Sequence, residues 1–401
     1  MDLRPFRHRD YRFFYSAQFV SFLGSMVTYV ALPYQVFTLT GSSLAVGLLG
    51  LAELLPLLLT AFVGGALADT VDRRRMVLAT DVGLAVGSGL LAANAALAHP
   101  HVWPLYVAAA LLSALNGLQR PSLDAMMPRL VEPGDIPAAA ALNTFRGSVG
   151  MISGPALGGV LIASAGLPET FLFDVATYVF SFVAVRMIRP LPRSGAGEGP
   201  TLESIREGFR YARSRQELIG TYVIDFVAMV FGMPLALFPA LSGRLGGPRV
   251  LGMLYAAPAV GALVASLTAR WTPRVQRHGL AVMLAATGWG VAIVGFGFCG
   301  TLVPALVCLS LAGGADAVSG IFRSTMWNQT IPDTLRGRLA GIEMVSYLSG
   351  PLLGHVEAGA VAAVWGVQAS VVSGGVLCVI AVLACGALLP RFRAYSARAS
   401  S

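Results

Sequence analysis

Eight ionisable side chains interrupt long apolar runs: Glu53, Asp81, Arg146, Asp174, Asp225, Asp316, Glu343 and Glu357. A charge placed among apolar residues is costly and is kept where it performs a task. A carboxylate shielded from water can take up and release a proton near neutral pH, which is the chemistry this set offers. The plainer alternative is structural, an ion pair or a charge reaching the membrane surface. That reading fits Asp174 and Glu357, near outer ends of their runs, and Asp81 with Arg146, toward the inner side. Glu53 and Glu343 fit either role. Other chemistry is missing from the spacing. There is no GxxxxGK[ST] and hence no nucleotide motor. The five histidines form no metal-binding spacing, and Cys299, Cys308, Cys378 and Cys385 sit in apolar runs without a CxxC, as small buried hydrophobes do. No metal, cofactor or catalytic cluster is expected.

The elements that position these groups follow from composition. Of 401 residues, 56% are hydrophobic and only 12% charged, and the mean hydropathy is +0.71. A water-soluble domain carries about 25% charge, so this composition excludes one. A bilayer-spanning helix needs about 20 mostly apolar residues. Cutting at charged and Pro/Gly-rich breaks gives twelve segments, near 13–37, 44–69, 76–98, 102–123, 137–165, 168–189, 217–242, 249–270, 279–299, 302–326, 337–363 and 366–389. The fold class is therefore an all-α polytopic membrane protein.

Every one of the 28 basic residues is Arg. With the N-terminus inside, 25 fall on the cytoplasmic side, two (Arg244, Arg249) outside, and Arg146 within the fifth segment. Cytoplasmic loops carry such an excess, so both termini are expected in the cytoplasm. The net charge of +8 then faces anionic lipid rather than nucleic acid. The break at 191–216 holds a Pro/Gly/Ser stretch followed by TLESIREGFRYAR, which reads as a short amphipathic helix on the inner surface. It separates 1–190 from 217–401, six segments on each side. SGPALGG at 153–159 is echoed by SGPLLGH at 349–355, and Arg120 by Arg323, at an offset near 200. Two parallel six-helix repeats imply a pathway between halves.

GALADTVDRRR, following the second segment, resembles the loop signature of the major facilitator superfamily, G-x-L-a-D-x-x-G-R-[RK]. Gly65, Leu67, Ala68, Asp69, Arg73 and Arg74 match, and Asp72 stands where the family has a second Gly. The resemblance implies twelve helices in two six-helix bundles. It also implies a conformational latch of Gly65, Asp69, Arg73, Arg74 and Asp124, with Asp69 facing the positive start of the eleventh segment. GMISGPALGG in the fifth segment (Gly150, Gly154, Pro155, Gly158, Gly159) is similar to the superfamily's proton-antiporter signature, with Ala141 replacing a further upstream Gly. RPSLDAMMPRLVEPGDIPAAAALN, LYAAPAVGALVASLTARWTPRVQRHG and the acidic loop residue look like the enterobactin-exporter and macrolide-efflux branch.

In that fold the first, fourth, seventh and tenth segments line the cavity. This makes Asp225 and Asp316 the leading proton sites, with Glu53 and Glu343 as further coupling carboxylates. Substrate-facing residues would be Asn116, Tyr34, Tyr222, Met229 and Arg323, with Gln18, Tyr29 and Asn328 in reserve. Tyr222, Asp225 and Met229 share one helix face, and Asp316 lies seven residues before Arg323 on another. The expected function is proton-coupled export of a small amphipathic molecule (drug, siderophore or metabolite) across a bacterial inner membrane by a monomer. Partners are then a small-molecule substrate, protons and membrane lipids. A nutrient importer or lysophospholipid flippase is the alternative. A membrane-embedded enzyme or sensor would need a catalytic cluster or a sizeable soluble domain, and neither is present in the sequence.

Overall fold

The computed structural model describes residues 2–190 and 210–396; within helices, the side chains of 61–70 and of 333, 334, 336–338, 340–346 and 348 are outside the description. Residues 201–209 of the amphipathic helix expected at 201–213 lie outside the described residues, while 210–214 are helical; the surroundings of Gly65 and the side chains of Asp69 and Glu343 are also outside the description.

The regular structure of the described residues is helical. The long helices are α1 Arg9–Thr40, α2 Ser43–Thr70, α3 Arg73–Ala95, α4 Trp103–Met126, α5 Ile136–Ser164, α6 Leu167–Arg186, α7 Gln216–Phe231, α8 Phe238–Leu245, α9 Pro248–Leu267, α10 His278–Gly297, α11 Leu302–Thr330, α12 Asp333–Trp365 and α13 Val367–Leu388. Ten spans among the described residues are long and apolar enough to cross a membrane, with α7 and α8 together making one of them. The helices α4 and α12, of 24 and 33 residues, are also long enough. At about 1.5 Å per residue even α4 exceeds the roughly 30 Å hydrocarbon core. This is a multi-pass membrane protein. Large apolar side chains such as Leu55, Leu59, Val303 and Leu388 are 61–76% exposed. Lipid is the solvent that accepts them. Trp103 and Trp365, at helix ends, are also exposed, where interfacial aromatics belong.

One expected helix is broken. The segment 217–242 divides at Gly232–Pro234, between α7 and α8. Pro234 has no N–H and its ring clashes with a continuing helix. The carbonyl of Gly232 is taken up by Trp289 Nε1 at 2.9 Å, so the freed backbone group does not face the apolar interior unpaired.

The chain forms two compact units, Met1–Gly41 with Leu51–Gly199 and Gly247–Ala256, and Ser42–Gly50 with Pro200–Gly246 and Ala257–Ser401. The short segments 42–50 and 247–256 thus belong to the unit built mainly by the other half of the sequence. In the first unit α1 packs on α5 and α6, and α3 on α4 and α6. In the second, α7 packs on α12 and α13, and α10 on α11 and α13. The pairing order is the same, which is the tertiary counterpart of the sequence repeat.

Glycines make the first of these contacts close. A Cβ at Gly150 would stand 2.3 Å from the Phe22 ring, and one at Gly154 2.4 Å from Met26 Cβ, both on α1. A Cβ at Gly159 would stand 2.7 Å from the Pro248 carbonyl oxygen. In the second unit Gly350 and Gly354 of α12 stand against Met229 and Val230 of α7 in the same way. The fifth-segment motif is thus a packing row as well as a resemblance.

Candidate functional site: a cation between two carboxylates

Two helices of the second unit bring three charged groups together. Arg323, in α11, is ion-paired through Nη1 with Asp225 Oδ1 of α7. Its Nη2 is 3.5 Å from Asp316 Oδ1, two turns earlier on α11. Asp225 and Arg323 are 7% and 8% exposed, whereas the Asp316 side chain is 37% exposed. One cation therefore serves two acids, a closed one and an open one. The trio as ionised carries one net negative charge, so one added proton brings it to neutrality.

The seven-residue spacing on α11 places Asp316 and Arg323 on one face, as the sequence suggests. The tertiary fold adds Asp225 from a helix about 90 residues away in sequence. A small cavity adjoins the trio, lined by Asp225, Ala228, Trp289, Asp316, Ser319 and Arg323 among others, with a volume near 10 Å³. That is room for about one water. Trp289 and Ser319 were not read from the sequence. A signal for Trp289 exists in ATGWGVA, since a Trp between glycines mid-span is away from the interfacial belt where Trp concentrates.

The remaining sequence-derived positions spread more widely. Tyr222 stacks on Trp327 with ring centroids 5.6 Å apart, and Trp327 Nε1 donates to Thr221 Oγ1 at 2.8 Å. Met229 is 6% exposed and faces Gly350 rather than the cavity. Of the one-face trio Tyr222, Asp225 and Met229, only Asp225 lines the cavity. Asn328 is exposed.

In the first unit, Asn116 is exposed and its amide donates to the Leu112 carbonyl. Tyr34 is half-buried, Gln18 is buried, and Tyr29 meets Tyr255 edge-on at 5.4 Å. Glu53 is half-buried in α2, where its backbone carbonyl accepts from Ser113 Oγ at 2.9 Å.

Asp81 and Arg146 do not form the ion pair that the structural reading allowed. Asp81 accepts from Gln119 Nε2 at 2.6 Å and Ser181 Oγ at 2.8 Å. Arg146 donates to the Gln18 carbonyl at 3.0 Å and to Asn143 Oδ1 at 2.8 and 3.0 Å, and lies 5.4 Å from the Phe22 ring centre.

The charged loop between α2 and α3 has a defined local role. Asp72, with φ −59°, is the N-cap of α3 and accepts from the backbone N–H of Arg74 at 2.9 Å and Arg75 at 3.2 Å. The turn therefore needs no positive φ at this position, and Asp replaces Gly by gaining a cap. Arg74 donates to the carbonyls of Val185 (3.1 Å) and Arg186 (2.6 Å) at the end of α6, and Arg73 to that of Ala125 (3.4 Å) at the end of α4. Cations at helix C-termini satisfy orphan carbonyls and the negative dipole end. Asp124 is exposed on α4. Among the described residues no group of three or more His, Cys, Asp or Glu is placed to hold a metal ion.

The family model described as transmembrane secretion effector, of the major facilitator type, matches residues 1–401. The chain belongs to this family. It is a transporter and not an enzyme. It is 27% identical over 378 residues to the enterobactin exporter EntS of Shigella boydii serotype 18 (strain CDC 3083-94 / BS512), covering 94% of this chain and 91% of that protein. The EntS of Escherichia coli O1:K1 / APEC is equally similar. Among solved structures, the fold matches the nucleoside transporter NupG (TM-score 0.75, 13% identity, 94% and 98% of the two chains). It also matches a bacterial homologue of the human lysosomal transporter Spinster (TM-score 0.77, 15% identity, 98% and 99%). At these identities the structures speak for the fold alone.

Proposed function

We propose that the protein exports a small amphipathic molecule by proton-coupled alternating access, with Asp225, Arg323 and Asp316 as the coupling centre. The observation that carries this reading is the sharing of one buried guanidinium by two carboxylates of unequal exposure. Asp316 is the open member and exchanges the proton. When Asp316 is ionised, it and Asp225 compete for Arg323. When Asp316 is protonated, Arg323 commits to Asp225 and the centre is neutral. Two arrangements of similar energy, chosen by one proton, form the kind of two-state element that coupling requires. The exporter relatives and the antiporter-like row on α5 support the outward direction.

On this reading the chain lies in the inner membrane as a monomer, both termini in the cytoplasm, with anionic lipid against the arginines. Asp69, Arg73, Arg74 and Asp124 act with Gly65 as the inner-face latch, and Glu53 and Glu343 are secondary coupling groups. The cargo surface draws on Tyr34, Asn116 and Tyr222, with Met229 excluded by its burial against Gly350.

The test is efflux from proteoliposomes under an imposed proton gradient. Asp316→Asn is expected to keep cargo binding and lose gradient dependence. Unchanged coupling in Asp316→Asn and Asp225→Asn alike would remove the centre from the mechanism. Cargo-stimulated proton release from inverted vesicles separates export from import.

A further inference from the structure

The sulfur atoms of Cys299 and Cys308 are 3.9 Å apart. Cys299 lies in the short connection 298–301 between α10 and α11, and Cys308 two turns into α11. Both are half-buried, whereas Cys378 and Cys385 are buried. The Cys299 thiol also donates to the Gly295 carbonyl at 3.3 Å, which fixes it at the end of α10. A disulfide holds its sulfurs about 2.0 Å apart, so the pair needs to close by only about 1.9 Å.

We propose that Cys299 and Cys308 are a disulfide-forming pair that staples the outer end of α10 to the start of α11. The proposal rests on the arginine-derived orientation taken above, which sets the 298–301 connection on the outer face. That side is the oxidising one. The step is exchange with a small disulfide oxidant. One cysteine sulfur attacks the oxidant, releasing its first thiol. The other cysteine then displaces the second, forming the S–S bond. Both cysteine protons and two electrons end on the oxidant, which leaves as two thiols. The staple fixes the relative register of the helices that carry Trp289, Asp316 and Arg323.

Burial and the Cys308 sulfur push the Cys299 thiol up to about 11. The attacking species is the thiolate, so closure is slow at neutral pH and accelerates as the pH is raised.

The experiment treats the purified full chain with oxidised glutathione, alkylates the remaining thiols and measures intact mass. The expected product has lost two hydrogens and takes up two alkyl groups fewer than the reduced chain, and Cys308→Ser abolishes that change. A glutathione adduct that persists without closure, or full alkylation at both cysteines after oxidation at raised pH, overturns the pairing. The same measurement on cells whose thiols are trapped before lysis tests the side. A closed pair there supports the proposal. A reduced pair in cells that closes in the isolated chain overturns the outer-face assignment and leaves the pairing chemistry standing.

Discussion

The two units bury their acids in different company. In the first, Asp81 of α3 accepts from Ser181 of α6, and Asp174 of α6 accepts from Ser88 of α3 at 2.7 Å. Each helix contributes one Asp and, seven residues later, one Ser. On antiparallel neighbours this makes two reciprocal rungs. Thr28 of α1 (2.6 Å) and Gln119 of α4 (2.6 Å) complete them, and Gly24 on α1 leaves the room that Asp174 and Thr177 occupy. Every partner here is neutral. In the second unit the partner of both Asp225 and Asp316 is the cation of Arg323. Neutral donors aimed at both oxygens of a carboxylate hold a single geometry. A cation claimed by two acids has two geometries to choose from. We read the first arrangement as glue between helices and the second as a switch.

The largest effect is expected from breaking the shared cation. Arg323→Gln leaves Asp225 buried without its counter-charge, a loss of about 3–5 kcal/mol by analogy with broken buried pairs. Gradient-driven efflux should vanish with it. Adding Asp225→Asn should restore much of the thermal stability in detergent but none of the coupling. Full coupling in the double variant would collapse the distinction between the two units. A smaller effect is expected at the rungs. Asp174→Asn keeps an acceptor for Thr28 and Ser88 and should cost about 1–2 kcal/mol of stability while proton coupling persists. Loss of coupling in a folded Asp174→Asn protein would make the first unit a proton site too. The smallest belongs to a carboxylate at a helix start. Asp72→Ala removes the α3 cap and should lower stability by about 1 kcal/mol, with Asp72→Ser close to neutral. A transport defect larger than this stability loss would assign Asp72 to the latch.

Much of the fold was legible because a bilayer imposes simple rules. Twelve apolar runs, the arginine asymmetry and the repeated SGPxLG row followed from hydropathy and spacing. The break in the seventh span was signalled by Gly232 and Pro234, yet apolar residues on both sides hid it from a hydropathy cut. At the site, Asp316 and Arg323 could be placed on one face from their spacing alone. Met229 could not be assigned the same way, since a shared face does not say which neighbour each residue meets. It turned to α12 while Asp225 turned to α11.

The amino-acid sequence by itself determined that the chain is helical and spans a membrane many times, and which charges stand within its apolar runs. Those properties depend on each segment's own transfer from water to lipid, a sum over local composition. Only the tertiary structure decided which buried acid meets a hydroxyl and which meets Arg323. It likewise decided that Trp289 closes the gap in α7–α8 and that two cysteines nine positions apart lie within reach of one another. Those outcomes depend on which helix faces which, and single-segment periodicity carries no information about the neighbour.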